Sequence, residues 1–341
     1  MTTDQYLIDA ATRRQVFLQR YGNGRSKEAV KILTRLRQRI NARLSQEPEN
    51  FVAQRLQDVV KDITTLSDLT FQEIKLLIEF DSKELAVSEA SFAALMISKV
   101  VNTSLVMPES AVLARNVLTE AMSVSSGVSI ADALSQFGNA KKAQILQQVI
   151  DGVTLGDSTQ SIIRKVDNLI RNIMKRQITS LIGTIVNHVS SFSRSAFYKK
   201  NSRMIGEYEW VSTLDGRTTL VCMSRDLTVY LVGSGPMPPA HYGCRSTTVP
   251  VIRDEFKLGL NVKSFRPSVN QSGARQVDSK LNYGQWLQRQ NKEFIDEALG
   301  IERSRLFRAG KLGIDKFVDP TGRVYTLSEL ESMNKIVFSD L

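Results

Sequence analysis

The stretch Tyr208-Glu-Trp-Val-Ser-Thr-Leu-Asp-Gly-Arg-Thr218, followed by Cys222 and then by Pro238-Pro-Ala-His-Tyr-Gly-Cys-Arg245, is where the chain ceases to read as a plain helical protein. Upstream of it, apolar residues recur at every third or fourth position, as on one face of a helix. Within it and just beyond, β-branched and aromatic residues gather between glycines, the pattern of short strands. The same region holds both cysteines of the chain and one of its two histidines. A chain that uses Cys and His so sparingly has placed its best ligand-forming and redox-capable groups, Cys222, His241 and Cys244, in one short region.

Working outward toward the N-terminus, the first feature is a long helix opening after Leu155-Gly-Asp157-Ser-Thr-Gln160. Its stripe runs Ile163, Val166, Leu169, Ile170, Ile173, Ile178, Leu181, Ile182, Ile185, Val189 and Phe192, with Gly183 as an interior weak point worth about 1 kcal/mol relative to Ala. The pattern predicts one helix from about 158 to 200, ~60 Å long at 1.5 Å per residue. Residues 160–205 carry nine basic side chains against the single acid Asp167, the sharpest charge asymmetry in the chain. Arg164, Arg171, Lys175, Arg176, Arg194, Lys199 and Lys200 are therefore the candidate contacts for nucleic acid or another acidic partner. His188, beside Val189 of the stripe, reads as a packed or interfacial histidine rather than a ligand.

Further upstream, residues 1–47 read as helices with a break at Gly22-Asn-Gly24, and Phe51 to about Gly156 as more helix. Pro108 reads as lying near a helix start, Ser123 to Gly127 as a loop, and Ser129-Ile-Ala-Asp132 as a capped helix start. Residues 51–160 hold thirteen acidic and eight basic side chains, so this part reads as scaffold.

Downstream, Tyr208–Ser212, Thr228–Gly233 and Arg245–Ile252 read as strands, the last confined to a sheet edge by Pro250. Ser264 to Gln276 reads as a polar loop, Tyr283 to Leu299 as one amphipathic helix closed by Gly300, and Glu302 to Gly310 as another. Phe317 to Tyr325 reads as a β-hairpin turning at Asp319-Pro-Thr-Gly322, and Thr326-Leu-Ser-Glu329 as a capping box. The expected fold is mainly α with a small α+β module. It divides into a helical N-terminal region (1–157), a long basic connecting helix (158–203) and a C-terminal mixed domain with short antiparallel strands (204–341).

At 341 residues and 42% hydrophobic content the chain is long enough to bury a real core. No run approaches the roughly 18 apolar residues of a membrane span, and the start lacks a signal-peptide layout, so the expected compartment is cytoplasm-like. Two cysteines argue against a disulfide framework. The formal charge of +10 favours approach to nucleic acid or an acidic protein surface.

The Cys and His residues admit several chemistries. His241-x-x-Cys244 plus Cys222 gives three ligands of a structural zinc site, with Asp215 as candidate fourth. Alternatives are two buried thiols with His241 bonded to backbone carbonyls, a Cys222–Cys244 disulfide outside the cytoplasm, and a Cys244 nucleophile with His241 as base. For the last, nothing marks an oxyanion site or substrate pocket. The phosphate-binding, dinucleotide-binding and His-Glu-x-x-His patterns are all missing from the sequence, so an enzyme is not expected. Asp215-Gly-Arg217-Thr218 reads as a tight turn, in which Asp215 accepts turn amides and Arg217 pairs with a carboxylate or phosphate.

Taken together, Trp210, Asp215-x-Arg217-Thr218, Cys222 and Pro239-x-His241-x-x-Cys244-Arg245 resemble the motif of the phage Mu F-like minor head proteins, the head morphogenesis proteins of tailed bacteriophages. The resemblance extends upstream to Ile150–Gly156 and the long helix, and downstream to Trp286-Leu-x-x-Gln and Leu306-x-x-x-Gly310, covering about 150–341. Ser246 departs from it, since many members carry a further Cys there. The resemblance implies a minor virion protein made in the host bacterial cytoplasm and placed at the portal vertex of the capsid. There it would act in head morphogenesis, DNA packaging or DNA ejection. Implied partners are the portal protein and capsid or scaffolding proteins, with nonspecific double-stranded DNA contact. The alternatives are a DNA-binding protein of the capsid interior or a metal-dependent enzyme.

Overall fold

The computed structural model describes residues 3–49, 53–124, 127–259 and 264–339. The chain is mainly α with a small α+β module near its C-terminus. It forms two compact units. One comprises Gln19–Val87 and Ser110–Val189, the other Met1–Leu18, Ser88–Glu109 and Ser190–Leu341. The units interleave along the chain, whereas the divisions read from sequence at 157 and 203 follow it in order.

The first helix, α1 (Thr3–Leu44), runs through Gly22-Asn-Gly24 without the expected break. Each interior glycine costs roughly 1 kcal/mol against alanine. Buried Ala29, Ile32, Leu33, Leu36 and Ile40 carry the apolar stripe onward, and a Cβ at Gly22 would already stand 3.7 Å from Val186. The helical pattern continues in α2 (Ala53–Ser98), α3 (Ser110–Asn116, two residues past Pro108) and α4 (Ile130–Thr154). Ser129 caps α4 by accepting the Asp132 amide, as expected. The expected helix start at Phe51 and residues 125–126 of the loop at 123–127 lie outside the described residues. Two small residues allow close packing here: a Cβ on Gly138 would meet Phe71 at 2.9 Å, and one on Gly152 would meet Ile162 at 2.6 Å.

The long helix is continuous but not uniform. It comprises α5 (Thr159–Asn172), one π-helical turn over Ile173–Gln177, and α6 (Ile178–Lys200). The apolar stripe steps by no more than four residues everywhere except from Ile173 to Ile178, where it steps by five. In the π turn the Ile178 amide bonds the Ile173 carbonyl, which keeps both isoleucines on one face, and both are fully buried. Gly183, the expected weak point, lies in regular helix.

After α6 come β1 (Ile205–Val211), β2 (Leu214–Asp215), α7 (Leu220–Arg225), β3 (Val229–Leu231), β4 (Thr247–Ile252), β5 (Phe265–Asn270) and β6 (Gly273–Asp278). Among the described residues five short helices follow: α8 (Tyr283–Leu287), α9 (Lys292–Leu299), α10 (Ile301–Arg308), α11 (Leu327–Met333) and α12 (Lys335–Ser339). One sheet has the order β3-β1-β4, all antiparallel, and places Pro250 on the edge strand β4 opposite Tyr208. The other has the order β2-β5-β6, with β2 and β5 parallel.

Three expectations are corrected in this region. Residues 264–276 form the β5–β6 hairpin rather than a loop, because their inward face is polar: Ser264, Arg266 and Ser268 are all buried. Tyr283 to Leu299 is two helices, α9 restarting where the Asn291 side chain accepts the Phe294 amide. Around Asp319 the hairpin shrinks to a single bridge, Val318 opposite Val324, preceded by a 3-10 turn over Ile314–Phe317. The Thr326–Glu329 capping box forms as expected.

Two apolar cores position the site. Leu7, Ile97, Phe197, Tyr198, Tyr208 and Val249 belong to one, against the inner face of the first sheet. Tyr283, Trp286, Leu306, Phe317 and Leu330 belong to the other, beneath α7 and β2.

Candidate metal centre

Trp210 points inward from β1, fully buried, and packs against the two cysteines. Cys222 is presented by α7. His241 and Cys244 come from the turn between β3 and β4. The Cys244 amide bonds the His241 carbonyl at 3.1 Å, and Gly243 takes a φ of 75°, the left-handed conformation that glycine adopts without a Cβ penalty. The polypeptide enters that turn through Pro239, whose peptide bond with Pro238 is cis.

These elements bring the three ligand-forming atoms together. Cys222 Sγ stands 3.3 Å from His241 Nε2 and 3.7 Å from Cys244 Sγ, and all three lie within 4.8 Å of one another. Both sulfurs are buried and unbonded to each other, so there is no disulfide. His241 Nδ1 sits 2.9 Å from the Tyr242 carbonyl oxygen. A carbonyl only accepts, so Nδ1 carries a proton, and Nε2 faces the sulfurs. Cys244 is held well below the ordinary thiol pKa, first by the hydrogen bond from Cys222, against burial, and then by His241 and the Ala240 amide. Cys222 is pushed well up by that same bond and by its burial. Burial opposes protonation of His241, but Cys244 and the Tyr242 carbonyl outweigh it and leave its pKa raised.

Asp215 does not supply the fourth ligand. Its carboxylate is engaged by Arg245, with Nη2 2.8 Å from Oδ1 and Nη1 bonded to Oδ2. It also accepts the Arg217 amide at 3.1 Å and the Thr218 hydroxyl at 3.2 Å. Arg245 therefore closes the turn in place of Arg217, whose side chain is 82% exposed and 3.8 Å from Asp215. These bonds hold the Asp215 pKa below the ordinary carboxylate value despite burial, which works the other way.

A second charged pair, not read from the sequence, braces the site from below. Asp226, just past α7, and Arg266 on β5 are both buried and joined by two bonds of 2.9 and 3.0 Å. The same carboxylate accepts the amides of Ser212 and Tyr283, each at 2.7 Å. Arg266 also donates to the carbonyls of Ser212 and Leu281. Ser212 then links to Trp210 Nε1 at 3.0 Å and to the Cys222 carbonyl at 2.6 Å. The available sequence signal was a lone Arg on the inward phase of a Ser-x-Arg-x-Ser alternation, which only its partner explains.

The basic residues of the long helix separate into two sets. Arg164, Arg171, Lys175, Arg176, Lys199 and Lys200 are exposed, with Arg171 paired to Asp167. Arg194 is corrected as a contact residue. It is fully buried, bonded to Glu89 at 3.3 Å and to Thr247 and Thr248 of β4. Glu89 is shared with Arg14 at 2.6 Å and Ser190 at 2.7 Å. A guanidinium so enclosed holds its own core together and cannot reach a partner. His188 is buried as read, with its pKa lowered to about 4 by that burial.

No family model, no curated protein and no solved structure matches the chain.

Proposed function

We propose that this chain is a minor structural protein of a tailed-phage virion, of the Mu F-like head morphogenesis class. It associates with the portal vertex and acts in head assembly, DNA packaging or DNA ejection. The observation that carries this reading is the convergence of the spaced motif. Trp210, Asp215, Thr218, Cys222, His241, Cys244 and Arg245 span 36 positions yet gather into two contact groups, Trp210 with Cys222, His241 and Cys244, and Asp215 with Thr218 and Arg245, joined where Cys244 precedes Arg245. A set of residues that folds a small module together supports the resemblance more than any one residue does.

The reading is one of structure and interaction rather than catalysis, because Cys222 and Cys244 are buried and pack with Trp210 as part of the module's core. The partners are the portal protein and, with it, capsid or scaffolding proteins. Among the described residues no helix is long and apolar enough to cross a membrane. The test is co-expression with the portal protein of the same phage and sedimentation on a gradient. Co-migration with the portal ring supports the reading, and separate migration of two folded proteins overturns it.

A second reading, contact with double-stranded DNA inside the head, is favoured by the exposed Arg164, Arg171, Lys175 and Arg176. Neutralised phosphates release counterions, so such binding weakens steeply with salt. Replacing these four residues with Gln would weaken binding and flatten its salt dependence. Unchanged binding would remove this reading.

A further inference from the structure

We infer that Cys222, His241 and Cys244 form a binding site for a single thiophilic divalent cation such as zinc, with three protein ligands and a fourth position completed by water. The spacing of the donor atoms is the first ground. With Zn–S near 2.3 Å and Zn–N near 2.0–2.1 Å, a tetrahedral ion spans two sulfurs about 3.8 Å apart and a sulfur and nitrogen about 3.5 Å apart. The site presents 3.7 Å and 3.3 Å. The third pair, Cys244 Sγ and His241 Nε2, also lies within 4.8 Å.

The second ground is the way His241 is held. Metal-bound histidine ordinarily donates its other ring N–H to a carbonyl or carboxylate, which fixes the tautomer and aims the lone pair. Here Nδ1 does this to the Tyr242 carbonyl and leaves Nε2 facing the thiols. The third is the surrounding set of hydroxyls. The Thr219 and Ser246 side chains both hydrogen-bond Cys222, and Ser246 also donates to Ser212 at 3.3 Å. The two cysteines sit under Trp210 while His241 remains partly exposed, so the face beside His241 is where water reaches the ion.

Ser246 gives the inference its sharpest handle. It follows Cys244-Arg245 directly, it is buried, and its hydroxyl acts on Cys222. A thiol at this position would stand beside the other ligands, so Ser246→Cys converts a three-ligand site into a closed Cys3His one.

The experiment uses the full chain, reduced and stripped with chelator, and titrated with cobalt(II) alone. One equivalent should bind, with a thiolate-to-cobalt charge-transfer band and the intense visible bands of a tetrahedral ion. Cys222→Ser and Cys244→Ser should each weaken the charge-transfer band, and Ser246→Cys should strengthen it and tighten zinc binding by about tenfold or more. Because Ser246→Cys removes no ligand, it keeps the test informative if a cysteine variant fails to fold. Absence of stoichiometric cobalt binding by the folded wild-type chain overturns the inference, as do bands unaltered in both cysteine variants. The outcome is independent of the portal reading: a chain that binds cobalt but migrates apart from the portal loses that reading and keeps this one.

Discussion

Replacing Arg266 with Met removes the guanidinium beneath the motif while keeping most of the side chain's volume. In the native fold that group makes two bonds to Asp226 and supplies donors to the Ser212 and Leu281 carbonyls. The Asp226 side chain has no exposure to solvent, so after the substitution its charge keeps only the Ser212 and Tyr283 amides. Removing one partner of a buried ion pair costs about 3–5 kcal/mol, because the remaining charge is left uncompensated. That is two to more than three powers of ten in the folding equilibrium at about 1.4 kcal/mol each. The assay is urea unfolding followed by tryptophan fluorescence. The chain has two tryptophans, Trp210 and Trp286, both buried in the same compact unit as Arg266, so the signal reports that unit selectively. Arg217→Ala is the internal control. Its exposed side chain, 3.8 Å from Asp215, should contribute within about 0.5 kcal/mol. A loss below about 1 kcal/mol for Arg266→Met, or one equal to that of Arg217→Ala, would refute the reasoning.

Three further outcomes follow from the helical unit. His188 titrates near 6.5 in an unfolded chain and at about 4 when buried, so between these values the unfolded state binds a proton that the folded state does not. Stability should therefore fall by up to about 3 kcal/mol as pH drops from 6.5 to 4, and His188→Gln should flatten that slope in circular-dichroism melts. Asp167 behaves in the opposite sense. Burial raises its pKa, but bonds from Arg171, Asn41 and Arg37 outweigh this and lower it from 3.8 to about 2. Its contribution is complete above about pH 4 and lost toward pH 2, and the acid limb of an Asp167→Asn variant should lack that component. Gly152→Ala forces a Cβ to 2.6 Å from Ile162 and should cost about 1–3 kcal/mol, whereas Gly183→Ala meets nothing within 4 Å and should gain about 0.5–1 kcal/mol. Thermal melts of the pair check both signs.

The helices were legible in the sequence because their buried faces are apolar and repeat with a helical period. Even the π turn left its mark, as the five-residue step from Ile173 to Ile178. What was not legible shares one cause: polar or glycine residues whose role depends on a distant partner. Gly22 looks like a helix breaker until Val186 is placed beside it. Ser264, Arg266 and Ser268 look like loop until Asp226 is found across the module. Arg194 looks like a surface charge on a basic helix until Glu89, 105 positions earlier, closes on it. Scarcity made Cys222, His241 and Cys244 stand out, but their mutual distances came only from the fold. The fold also reassigned Asp215 from candidate ligand to partner of Arg245.

The proposed role makes this chain a portal-associated component of a virion. A cryo-EM map of the portal vertex of a phage encoding this sequence is the decisive test of that proposal. The expected result is density at the portal fitted by the helical unit and the Cys-His module. A map in which the portal vertex is fully accounted for by other chains would contradict it.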